Sequence, residues 1–234
     1  MSLVVKSSLL NKVDGSAEVE IGRTKLVASV SGPIEPRSRQ ELPNSASLEI
    51  IVRPAVGVST TREKLIEDKL RSLLQNVIIR HKYPRQLIQI VIQFLVTEDT
   101  NNYSITESQK QKLTSIELNA AINACYFALV DANIALYYSF SSVCICANSS
   151  IEEDNLKVNP DMKDLAVSRS HHVISYGITH SSSYNVLLIE SQGDFSEDEF
   201  LKLLDASGDL CKSLHDEQRS HIESKIKKEF IWKQ

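Results

Sequence analysis

Three pairs of side chains in this 234-residue chain have types and spacing that could do chemistry: the carboxylates Asp161 and Asp164, the imidazoles His171 and His172, and the thiols Cys144 and Cys146. Paired carboxylates serve acid–base work or hold a divalent cation. Three residues apart on a turn, their ordinary role is a solvated face. A histidine pair can ligate a metal or activate a nucleophile, but the sequence sets no identifiable partner beside it. His81, between Arg80 and Lys82, is in the same position. The two thiols lie in an apolar, strand-like run whose period of two puts both on one face. Cys125 and Cys211 complete four cysteines, without a Cys-x-x-Cys pair or zinc-finger histidine spacing. The expectation is buried free thiols, a reducing compartment and no metal.

A hydrophobic fraction of 42% and a charged fraction of 24% describe a globular chain. The net charge of −4 argues against a free-standing nucleic-acid binder. Interleaved basic and aromatic residues, which such a binder would show, are not evident in the sequence. No apolar run approaches the roughly 20 residues of a membrane span, and the first residues lack the apolar core of a signal peptide.

The elements that must position these groups read as follows. Alternation over residues 17–21 and 24–31 predicts a hairpin stopped by Gly32-Pro33. Residues 35–43 form a loop, and 48–52 a strand. Thr60 and Glu63 form a capping box ahead of a helix with Leu65, Ile66, Leu70, Leu73, Leu74 and Val77 on one face. Residues 86–96 are a long strand, and 97–111 an exposed polar loop. Thr114 and Glu117 form a second box, opening an almost wholly apolar helix that ends near Asn133. Strands follow over 137–147, 165–179 and 184–190, and a third box, Ser196 with Glu199, opens a final helix. The order is α+β. The acidic stretch 149–154 is the candidate boundary, giving lobes 1–147 and 148–234.

The run from Asp14-Gly15-Ser16-Ala17 through Gly22-Arg23-Thr24-Lys25-Leu26 to Gly32-Pro33 resembles the opening of the RNase PH family. Thr61-Arg62-Glu63, Tyr83-Pro84-Arg85, the helix ending Ala128-Leu129-Val130-Asp131-Ala132-Asn133, and Gly193-Asp194-Phe195-Ser196 follow in that family's order. Tyr83-Pro84-Arg85 is similar to its exosome branch. The resemblance implies an RNase PH-like fold of mixed sheets and helices in two lobes. It implies a six-membered ring with other RNase PH-like subunits, with RNA-binding cap proteins on one side and a processive nuclease on the other. RNA passes through the ring's channel. It further implies work in the nucleus, nucleolus and cytoplasm, with no cofactor.

Active members of the family carry a glycine- and arginine-bearing phosphate loop just before the apolar central helix. The matching residues, Ser108-Gln109-Lys110-Gln111-Lys112-Leu113-Thr114-Ser115, contain neither. Lys110 and Lys112 could meet phosphate only as point charges. Of the acidic pair, Asp161 and Asp164 are present, but the later position near 166–169 brings Arg169 instead. The resemblance thus points to a non-catalytic ring subunit, with no catalytic residue. The alternatives are an active phosphate-dependent 3′-to-5′ exoribonuclease and an independent RNA-binding module. Arg62, with Arg53 and Arg85 near the same mouth, has two readings, contact with RNA phosphates or an ion pair with Glu63 or a neighbouring subunit.

Overall fold

A computed structural model describes residues 3–97, 107–147, 156–179 and 183–229. The hairpin forms where alternation predicts it, as β2 (Gly15–Ile21) and β3 (Thr24–Ile34). Val19, Ile21, Leu26, Ala28 and Val30 are buried, while the residues between them are half-buried. Gly32-Pro33 does not stop β3: pairing resumes at Ile34 after an irregularity that begins at Ser31. A short strand, β1 (Val4–Ser7), adds antiparallel to β2. β4 (Ser47–Arg53) and β5 (Leu87–Val96) complete a five-stranded sheet of order β1-β2-β3-β5-β4. β4 and β5 are parallel, which requires a crossover. Helix α1 (Thr61–Val77) supplies it.

The central helix differs from expectation at its start. α2 runs from Glu107 to Asp131, so Thr114 lies inside the helix and caps nothing. Residues 107–111, expected as loop, are its first turns. Lys, Gln, Glu and Leu at 107–113 are good helix formers without a Gly or Pro to break them. The remainder of the expected loop, and the acidic stretch 149–154, lie outside the described residues. From Thr114 to Leu129 the helix is buried on all sides, wedged between the two sheets. Ala120, Ala121, Ala124 and Ala128 permit that close approach. Gly15 shows how close: a Cβ there would stand 2.3 Å from the Ala132 nitrogen and 2.4 Å from the Ala128 oxygen. Asn133 ends the helix at φ 55°, the left-handed stop its position suggests.

The second sheet is antiparallel, of order β7-β6-β8-β9: β6 (Ser139–Ala147), β7 (Leu156–Val158), β8 (Ser170–Thr179) and β9 (Ser183–Gly193). β6 precedes the expected 147/148 boundary yet pairs with β7 and β8 beyond it. The expected strand from 165 begins instead as a short helix, α3 (Met162–Val167), capped from Asp161. The last helix, α4 (Glu197–Glu229), forms its capping box: Ser196 N–H donates to Glu199 Oε2 at 2.8 Å, and Glu199 N–H returns to Ser196 Oγ at 3.3 Å. Leu203, Cys211 and Leu214 pack it on Val143, Ile145, Ile174 and Tyr176. As far as Glu229 the charged segment beyond His215 stays helical and crosses back to the first sheet. There Gln218 Nε2 donates to Asn123 Oδ1 at 3.3 Å, His221 Nε2 donates to the Val5 carbonyl at 2.6 Å, and Lys225 pairs with Asp131.

Candidate functional site

The first buried turn of α2, residues 114–119, is where three segments of chemical interest meet. On one side stands the start of α1. Thr60 caps it: its N–H and hydroxyl both meet Glu63 Oε2, at 2.5 and 2.6 Å, and its Oγ1 receives Arg62 N–H at 3.4 Å. Burial pushes the Glu63 carboxyl up, but the bonds from Thr60 outweigh it and hold the group below the usual carboxylate range. The cap fixes Arg62 just inside the helix, aimed at α2. Arg62 Nε donates to Thr114 Oγ1 at 3.1 Å, and Nη2 lies 2.7 Å from Glu117 Oε1. The arginine side chain is 21% exposed and the glutamate 8%. The guanidinium therefore joins α1 to α2, and Glu117 is a partner that the sequence reading did not assign.

On the other side of the same turn lies α3. Ile116 packs with Leu165, Cys146 and Met162. Asp164 accepts the Asp161 N–H at 2.9 Å and pairs with Lys157 at 2.6 Å. The Lys157 ammonium holds the Asp164 carboxyl below its ordinary range. Asp161, the N-cap of α3, borders a void of about 20 Å³ with Gly22, Asn119, Cys144 and Asn159. That is space for about one water. The two carboxylates thus serve a helix start and an ion pair. Arg169 turns away to Glu199, 3.4 Å distant at the exposed start of α4.

A phosphate cradle needs backbone N–H groups turned toward the anion. Ahead of Thr114 the chain is helical, so from residue 111 onward each N–H is committed to the carbonyl four residues back. Fold and sequence agree here: no glycine opens the backbone and no arginine offers a fork between 108 and 115.

The expected arginines do not share one mouth. Arg53 ends β4, exposed, on a shallow pocket with Pro54, Gly57, Ser59 and Gln93, at the same end of the sheet as the α1 start. Arg85 precedes β5. The parallel register pairs Ser47 with Leu87 and Arg53 with Gln93. Six steps at about 3.3 Å place Arg85 at least ~20 Å from Arg53 along the strands.

The other candidate groups are structural. Cys125, Cys144, Cys146 and Cys211 are buried and free. Burial pushes the thiols of Cys125 and Cys211 up to about 12, so both stay protonated. His172 meets Ser191 Oγ at 2.8 Å and Ser170 Oγ at 3.1 Å, and burial lowers it to about 4. Among the described residues no three His, Cys, Asp or Glu side chains cluster as a metal site would require.

Comparison with known proteins now places this geometry. Residues 2–135 match the family model described as "3′ exoribonuclease family, domain 1", RNase PH. The chain is 42% identical over 231 residues to exosome complex component RRP46 of Saccharomyces cerevisiae, covering 97% of each. Exosome complex component rrp46 of Schizosaccharomyces pombe is 30% identical over 85% of this chain and 80% of its own. A crystal structure of rice (Oryza sativa) Rrp46 superposes with TM-score 0.76 over 94% of both chains at 21% identity, a likeness of fold.

Proposed function

Because this chain belongs to the RNase PH, or 3′ exoribonuclease, family, we propose that it is a non-catalytic ring subunit of an exosome. Its partners are other RNase PH-like subunits, RNA-binding cap proteins and an associated processive nuclease that does the chemistry on RNA drawn through the channel. It works where such complexes work, in the nucleus, nucleolus and cytoplasm. Exosome components are the relatives it resembles over nearly its whole length.

One observation carries the non-catalytic reading. Where a phosphate pocket would open, the backbone is helical, and the nearest arginine, Arg62, is engaged by Thr114 and Glu117. The acidic residues across the turn support it, since Asp164 is neutralised by Lys157. Arg53, exposed beside the α1 start where Arg62 is engaged, is the candidate contact for RNA in the channel.

The purified chain, incubated with oligo(A) in phosphate buffer, should release no nucleoside diphosphate. In native mass spectrometry it should join RNase PH-like partners in a six-membered ring. Phosphate-dependent release of nucleoside diphosphates by the chain alone would make it an enzyme and overturn the proposal.

A further inference from the structure

The last helix is held in two different ways along its length. Up to Leu214 it is anchored by apolar packing, with Leu203, Cys211 and Leu214 buried against the second sheet. From His215 to Glu229 the one buried side chain among the described residues is an amide, Gln218. Ile222 is half-buried there, and Ile226 is 47% exposed. A row of polar contacts along α2 holds this distal half instead. Gln218 Nε2 donates to Asn123, the His221 ring lies 5.7 Å from the Phe127 ring, and Lys225 pairs with Asp131. The partners on α2 recur every four residues, so the contacts form one seam down one face.

The core side of that seam is complete without the helix. Asn123 Oδ1 also receives the Ser142 N–H at 3.2 Å, and its Nδ2 donates to Ser142 O at 2.9 Å and Asn119 O at 3.0 Å. Asp131 also receives the Ser16 N–H at 2.8 Å and the Ser8 hydroxyl at 2.7 Å. Phe127 belongs to the main apolar core. If the distal half of α4 lifted away, none of these polar side chains would be left without a bond. The helix side, by contrast, is incomplete even when closed. Gln218 Oε1 is buried without a hydrogen-bond partner among the described residues, which weakens the closed state. Lys225 has a second carboxylate, Glu229, 3.6 Å away on its own helix.

The segment also covers something. β1 is the outer strand of the first sheet. Ser8 N–H donates to Ser16 O at 2.8 Å, so the even-numbered residues of β2 turn toward β1. Val5 stands opposite Val19, and its own N–H and C=O therefore face the open side of the sheet. His221 Nε2 donates to that Val5 carbonyl at 2.6 Å. An open strand edge invites pairing with another chain, and a covered one does not. We propose that residues 216–229 form a strap that opens from α2 and β1 as one unit while both sheets stay folded, and that the closed strap guards the edge of β1. Few apolar contacts and a self-sufficient core beneath are what a locally opening unit requires.

The test is native-state hydrogen exchange of the full chain, with and without about 1 M urea. In the wild-type chain the amides of 219–225 should exchange at one common rate, faster than those of 203–214. That rate should barely respond to urea, because the opening exposes little surface. Protection that declines step by step from Leu214 to Glu229 is end fraying and overturns the proposal. His221→Ala with Lys225→Ala keeps helix propensity but removes two contacts of the seam. It should speed exchange of 219–225 about tenfold or more and leave β3 and β5 within about twofold. Arg219→Ala with Glu223→Ala, which removes an exposed pair from the same turns, should speed it less than about twofold. Acceleration that reaches β3 and β5 equally makes the segment part of the core and overturns the strap. Equal effects of the two double variants, or no effect of the first, overturn it as well.

Discussion

Arg62 and Arg85 stand toward opposite ends of the β4–α1–β5 unit, and the molecule treats them oppositely. Arg62 turns inward, 21% exposed, against a carboxylate buried in the central helix. Arg85 turns outward, 72% exposed, with a loose partner and a left-handed backbone. Each lies in a motif that resembles one of the RNase PH family, so residue type and motif alone suggest an RNA role for both. The difference teaches that a phosphate-binding arginine must be judged by what already neutralises it. An arginine locked to a buried glutamate is part of the frame. One paired only in water remains open to a ligand.

The largest effect that can break this contrast is on stability. Arg62→Ala strips the buried Glu117 of its cation and should cost about 3 kcal/mol in urea unfolding. Replacing both residues by leucine should recover most of that loss, as replaced buried pairs do. If Arg62→Ala costs under about 0.5 kcal/mol, Arg62 is as free as an exposed arginine and the contrast fails.

A second test asks whether enclosed groups also govern the acid response. Burial lowers His172 to about 4 in the folded chain, whereas an unfolded histidine titrates near 6.5. The neutral ring therefore contributes stability that is present above about 6.5 and lost as pH falls toward 4. The loss should be about 2–3 kcal/mol in order of magnitude. His172→Asn should flatten the unfolding profile over that window. An unchanged slope would remove His172 from the account.

Smaller effects follow. Thr60→Ala removes the cap that aims Arg62 and should cost about 1 kcal/mol. Circular dichroism on melting would register it. Arg85→Ala, at the open end, should change stability by less than about 0.5 kcal/mol. A destabilisation rivalling that of Arg62→Ala would show that Arg85 is also structural.

Much of the fold was legible in the sequence, because the hairpin, the first helix and the final helix are written in periods of two and 3.6, with caps at the helix starts. The Thr60 and Ser196 boxes formed as read. The Thr114 box did not: the same Ser/Thr-x-x-Glu pattern lies mid-helix, since nothing before it breaks the helix and Thr114 instead meets Arg62. Local pattern could not distinguish a cap from an interior turn. The strand read from 165 failed for a related reason, since Asp161 and Asp164 start a turn of helix before Ser170 enters the sheet. At the site, the missing glycines were visible directly. The fate of Arg62 was not, because Glu117 lies 55 positions away and only the packing of α1 on α2 joins them.

The return of α4 onto Val5, Asn123 and Asp131 bears on the order in which the molecule is made. A ribosome delivers the strand before the helix, and the clasp that closes over the first strand emerges 216 positions after the Val5 it covers. Until then the end of the central helix keeps an acid without its lysine, and the Val5 carbonyl lacks its imidazole. Until α4 emerges the nascent protein therefore carries an open seam, which a holding chaperone could cover and which that helix closes.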